Sequence, residues 1–157
     1  MQTKNEQGFS LIELLIVVVI IGIIASIAVP NLLASRRAAN EGSAQQSLRT
    51  ISSCEATYLF TYGGGSYTDI AGLGSKTLTD SVLASGSKSG YTFVAVPLVG
   101  SASAQYWAYA IPTITSGIGQ TGTRRFAISE DAVLRGDTTL TAPADENEVK
   151  AISPMGN

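Results

Sequence analysis

The stretch 8–30, GFSLIELLIVVVIIGIIASIAVP, limits what this chain can fold into more than any other part of it. It carries one charge, Glu13, and then runs from Leu14 to Val29 without another. An unbroken helix over 9–29 would rise about 31 Å, the thickness of one bilayer core. A helix apolar on every side has to be covered by lipid or by other chains. Glu13 is the anomaly in it. A carboxylate costs about 2.5–3.5 kcal/mol at the centre of such a helix and less near an end, so it calls for a partner, most naturally an amine. Ahead of the stretch lies a short polar leader, MQTKNEQG, with one Lys and one Glu.

Gly8, Phe9, Glu13 and the apolar run ending at Pro30 resemble the class III signal of type IV pilins and type II secretion pseudopilins. The resemblance covers the first third of the chain and is loose beyond it. It implies that a prepilin peptidase cuts between Gly8 and Phe9 and methylates the new amine of Phe9. It also implies that Glu13 and Phe9 belong to the subunit assembly site. The fold expected is α+β and pilin-like: a long N-terminal helix, its apolar half protruding and its amphipathic half packed on a four-stranded antiparallel sheet. The implied partners are further copies of the chain in a helical polymer, the peptidase, an inner-membrane assembly machinery, and membrane lipid before assembly. The implied location is the inner membrane, as a single-pass precursor with a cytoplasmic N-terminus, and then an extracellular pilus. The major subunit of a type IV pilus is the first expectation and a secretion pseudopilin the second. A secreted or membrane-anchored binding module, using an aromatic strand face, is the alternative from another class.

The chemistry of these positions agrees with that resemblance. Cutting after Gly8 creates a positive amine at the start of a helix, at the unfavourable end of its macrodipole. Glu13, four residues on, offsets that charge from the same face of the helix or from a neighbouring subunit. The intermolecular pairing is the expectation here. An ordinary secretory signal is the rival reading: Lys4 as the basic region, 14–29 as the apolar region, Ser26-Ile27-Ala28 as the cleavage site, and Val29 as the mature start. Glu13 interrupts such an apolar region, and the helical pattern continues past it. Charge counting, with Lys4 before the run and Arg36 and Arg37 after it, points to the opposite topology. Large domains translocate largely regardless of such a bias.

Further along, Gly22 and Pro30 bracket a segment where the helix is expected to kink or unwind, since Pro removes a helical hydrogen bond. Segment 31–62 continues the same helix, which over 9–61 would measure about 80 Å. Ala44, Leu48, Ile51, Cys54 or Glu55, and Tyr58 form one apolar stripe suited to a sheet. Three glycines, 63–65, end it and open a connection over 63–90, with one short helix at 79–84 capped by Thr79 or Asp80. Strands are expected over 91–98, 105–111, 124–129 and 132–135, with turns at 99–103 and at Glu130-Asp131. In the second strand Trp107, Tyr109 and Ile111 share one face, and Tyr106, Ala108 and Ala110 the other. The block GQTGTRRFAISEDAVLRGD loosely resembles a recurring pilin segment, but holds Ala132 where relatives often have Gly. In the tail, 137–157, Asp145, Glu146 and Glu148 lack the spacing of an EF-hand. They read as solvated charge rather than as a calcium site.

Composition argues against catalysis. There is no histidine, the commonest general base and metal ligand, and no nucleophile elbow. Cys54 is the only cysteine, so it closes no intrachain disulfide and reads as an apolar filler on the helix. Net charge is −2, and Arg124-Arg125 reads as ordinary surface charge rather than a nucleic-acid contact. No catalytic residue, metal or cofactor is expected, and the chain reads as a building block rather than an enzyme.

Overall fold

The computed structural model describes residues 8–98 and 103–156. Most of the leader 1–8, with Lys4, and most of the expected turn 99–103 therefore lie outside the described residues. The chain divides into two units, Met1–Ser35 and Arg36–Asn157, and the division falls inside the first helix, α1, Leu11–Thr61.

The first unit is Gly8, Phe9 and Ser10 in non-helical conformation, followed by the beginning of α1. Every residue over 11–24 is exposed, and Leu11 and Phe9 are more than four-fifths bare. This helix is long and apolar enough to cross a membrane. Its stability comes from its own backbone and from straight-chain or branched apolar residues, not from any packing inside the chain.

The second unit is the C-terminal part of α1 packed on one face of a sheet. Residues Ala44, Leu48, Ile51 and Cys54 of α1 are buried at steps of three and four, the stripe expected, with Tyr58 half-buried beyond them. Five strands form an antiparallel meander in chain order: β1 Ser87–Lys88, β2 Tyr91–Leu98, β3 Gln105–Pro112, β4 Arg125–Ser129 and β5 Arg135–Asp137. The helix packs on the face of β3 that carries small residues. Ala108 and Ala110, with Ala95 of β2, leave room for Tyr91, Phe93, Phe126 and Ile128 from their neighbours. Register enforces this alternation of bulk, since Phe93 lies opposite Ala110 and Ala108 opposite Ile128. Each of the large side chains buried here contributes about 1.5–3 kcal/mol.

Three expectations need correction. The sheet has five strands, not four: Ser89 and Gly90, both at positive φ, turn β1 back on β2 with Lys88 opposite Tyr91. A two-residue loop of that geometry suits a hairpin, and Gly90 supplies it without strain. The strand expected over 132–135 forms at Arg135–Asp137 instead. Asp131 takes up the intervening residues, accepting from Ser129 Oγ, Val133 N–H and the Arg135 guanidinium. These bonds, led by Arg135, hold Asp131 down at about 2.

The tail is the third correction, because its acidic stretch is a docked helix rather than free solvated charge. It forms α4, Glu146–Ala151, with Asp145 capping the Glu148 N–H, and lays Val149 and Ile152 against Trp107 and Ala127 on the other face of the sheet. Glu146 pairs with Lys150, which also reaches Glu130. Glu148 reaches Arg125, and so does the pair of Asp137 oxygens, at 2.7 to 3.0 Å. Arg125 is accordingly only 3% exposed, not the surface charge expected. Its Nη1 makes a fourth bond, donating to the Thr141 carbonyl at 3.0 Å. Burial pushes the Asp137 carboxyl up, but hydrogen bonds from Arg125 and Thr139, with the Arg125 charge, together outweigh that and leave it below the usual carboxylate range. One arginine thus ties β4, β5, the 138–144 segment and α4 together, where the chain has no disulfide to do so.

The connection 63–90 is more ordered than its Gly, Ser and Thr content suggests. It holds α2, Ile70–Ser75, capped by Asp69, and α3, Ser81–Ala84, capped by Asp80 as expected. Leu73 and Leu83 anchor these two short helices in the core. Cys54 packs beside them, its thiol donating to the Leu78 carbonyl at 2.9 Å, the filler role expected of it.

Candidate assembly and processing site

The candidate residues Gly8, Phe9, Glu13, Gly22 and Pro30 are strung along the first unit rather than gathered into a pocket. Gly8 and Phe9 precede the helix, both exposed, so the bond between them lies in extended, accessible chain. Ser10 sits at the N-cap, and the Glu13 Oε2 accepts its backbone N–H at 2.9 Å. The Leu14 N–H then closes the first helical turn on the Ser10 carbonyl. This is one half of a capping box, written in the sequence as Ser10-x-x-Glu13. That signal was available, and Ser10 is the residue missed in reading it. Glu13 consequently has an intrachain role that a lone charge in an apolar run does not suggest.

Gly22 and Pro30 lie inside α1, which is helical through both. A Cβ at Gly22 would meet nothing within 4 Å, so no packing inside the chain requires glycine there. Ser26 Oγ donates to the Ile23 carbonyl at 2.7 Å. Pro30 lacks the N–H that the Ser26 carbonyl would otherwise accept. The turn before Pro30 is thus the place where this helix has the fewest backbone bonds to lose.

The prokaryotic N-terminal methylation motif matches residues 3–29. Over 38 residues the chain is 58% identical to the type IV wide pilus major component PilA4 of Thermus thermophilus, a match covering 24% of this chain and 29% of that protein. It is 44% identical over 41 residues to the type II secretion system core protein G of Aeromonas hydrophila, 26% of this chain and 29% of that one. The corresponding protein of Escherichia coli is 44% identical over 39 residues, covering 25% and 27%. Its N-terminal segment is thus similar to that of a type IV pilin and of type II secretion pseudopilins. The matches span under a third of these relatives' length, and no solved structure gives a significant match.

Pilins and pseudopilins are structural proteins rather than enzymes. Among the described residues of this chain, no three acidic, cysteine or histidine side chains stand together as metal ligands. The acids of its tail, read above against a calcium site, are engaged as a helix cap and in ion pairs. Within the block GQTGTRRF, Thr123 and Arg124 bind α1 while staying partly in solvent. Glu41 accepts from Thr123 N–H and Oγ1 at 2.8 and 2.7 Å and from the Arg124 guanidinium at 3.2 Å. Asn40 and Arg37 add bonds to the carbonyls of Thr121 and Gln120. Gly122 is required by close approach: a Cβ there would lie 1.9 Å from the Tyr91 hydroxyl, which donates to the Arg124 carbonyl. This block is therefore the clasp between helix and sheet.

Proposed function

We propose that the chain is the major structural subunit of a type IV pilus, cut between Gly8 and Phe9, methylated on Phe9, and assembled into a helical filament through its N-terminal helix. Glu13 is the observation that carries the reading. It is the only charge in a bare apolar helix, it lies beside the exposed Gly8–Phe9 bond, and its segment is the one shared with a pilus major component.

Two magnitudes favour pairing between subunits. An exposed charge at the wrong end of a helix dipole costs only about 0.3–1 kcal/mol. A carboxylate left unpaired in a water-free helical bundle costs several times more. The Phe9 amine of one copy and Glu13 of another therefore have most to gain when the helices pack side by side. Packing one patch on a different patch gives an open helical polymer, not a closed ring. Before assembly the helix waits in the inner membrane with its N-terminus on the cytoplasmic side, where the peptidase reaches Gly8. Less backbone bonding before Pro30 makes the segment between Gly22 and Pro30 the place to unwind when lipid is exchanged for neighbouring helices.

Mass spectrometry of the mature N-terminus tests the processing: a chain starting at Phe9 with one added methyl group is expected. A start at Val29 would establish a secreted soluble domain instead. Electron microscopy of cells making the protein tests the rest, with surface filaments expected. Correct processing with loss of protein export on deletion, and no surface filaments, would assign a pseudopilin, the reading favoured by the two secretion-system matches.

A further inference from the structure

Glu55 lies on the buried stripe of α1 and is wholly excluded from solvent. Its Oε2 accepts the Thr68 N–H at 3.1 Å, and its Oε1 has no hydrogen-bond partner. The groups around it come from four elements. Cys54 is its neighbour on α1, Tyr67 and Asp69 come from the connection and Tyr106 from β3, and Glu130 of the β4–β5 turn stands by both tyrosines. None of these is a cation. Lys150 is bound to the Oε1 of Glu130, whose Oε2 is buried without a partner. The Tyr106 hydroxyl is buried as well, with the Ser52 side chain beside it, and the Tyr67 ring packs on that of Tyr106 at 4.6 Å. Glu41, on the same helix, has an arginine and a threonine to itself. Glu55 has one amide and a wall of acids and phenols.

We propose that Glu55 is a proton-operated latch between α1 and the stretch 66–69: uncharged, its carboxyl seats that stretch on the helix, and on losing its proton to water it drives the stretch off. A carboxylate at this position needs hydration that only opening can supply. Opening at 66–69 exposes Oε1 and carries away Asp69 and the Tyr67 ring. Burial is the main influence on Glu55, with the Thr68 N–H opposing it and Asp69 adding to it, and the carboxyl is raised to about 7 from an ordinary 4.5. Raised pKa means stability that is complete below about pH 4.5 and lost as pH rises through about 7. The latch is a property of the second unit and holds for a pilin, a pseudopilin or neither.

Hydrogen-exchange mass spectrometry of the full chain in detergent tests it, with wild type and Glu55→Gln compared at each pH so that intrinsic exchange cancels. With a proton affinity near 7 closed and 4.5 open, opening of 66–69 rises about thirtyfold between about pH 5.5 and 8.5 in wild type. In Glu55→Gln it stays flat, and in both proteins the β3 amides keep their protection. A variant that tracks wild type would overturn the latch. So would an equal loss of protection in β3, which means global unfolding. Carbon-13 titration of the Glu55 carboxyl in the wild-type protein is independent of the variant's folding. A midpoint near 7 supports the proposal, and one near 4.5 overturns it.

Discussion

The first unit and the second differ in where their charge is placed, and the difference explains why one was easier to read than the other. The first has one carboxylate in its part of α1, where no described residue is buried. The second buries Glu41, Glu55, Arg125 and Arg135, and its outline depends on which of them find partners. In the first unit the helix's charge is bound only locally, by the Ser10 N–H. In the second it is part of the internal framework, so substitutions in the two should separate into effects on assembly and effects on stability.

Arg125→Ala is the strongest way to sharpen that contrast. It leaves Asp137, Glu148 and the Thr141 carbonyl without their shared cation. Breaking a buried pair from one side costs about 3–5 kcal/mol, and about 3 is expected here because both carboxylates are partly exposed and can rehydrate. Urea unfolding followed by tryptophan fluorescence reads it well, since Trp107 lies against α4. An unchanged midpoint would mean that α4 holds by Val149 and Ile152 alone.

Gly122→Ala comes next. The new methyl cannot coexist with the Tyr91 hydroxyl, so a loss of about 1–3 kcal/mol in thermal unfolding is expected. Ala132→Gly runs the other way. Ala132 holds φ at 57°, where a side chain is strained and glycine is not. A gain of about 0.5–1 kcal/mol should appear in the same unfolding curves. Smallest of all, Glu13→Gln should move the unfolding of the second unit by no more than about 0.5 kcal/mol while abolishing filaments. Comparable shifts in both readouts would break the separation of the two units.

Much of the fold was legible because it rests on local periodicity. The stripe of α1, the strands β2 to β4 and the Asp80 cap follow from side-chain spacing that neighbours in sequence enforce. The misses are of two kinds. Some signals were present and passed over: Ser89-Gly90 is a hairpin dipeptide that would have revealed β1, and Ser10-x-x-Glu13 is a capping box. Others were not local. Two adjacent arginines look alike in sequence, yet Arg124 reaches Glu41 and Arg125 reaches Asp137 and Glu148, because successive residues of a strand point to opposite faces of a sheet.

The sequence by itself determined the membrane-length helix, the methylation motif of its first segment, the helix stripe and the order of the main strands. These depend on composition and period, which no distant contact can alter. Only the tertiary structure decided that the acidic tail is a docked helix, that one arginine takes the place of a cross-link, and that Glu55 is closed off from water. A charge is stable or costly according to what stands within a few ångströms of it, and folding alone brings those neighbours together.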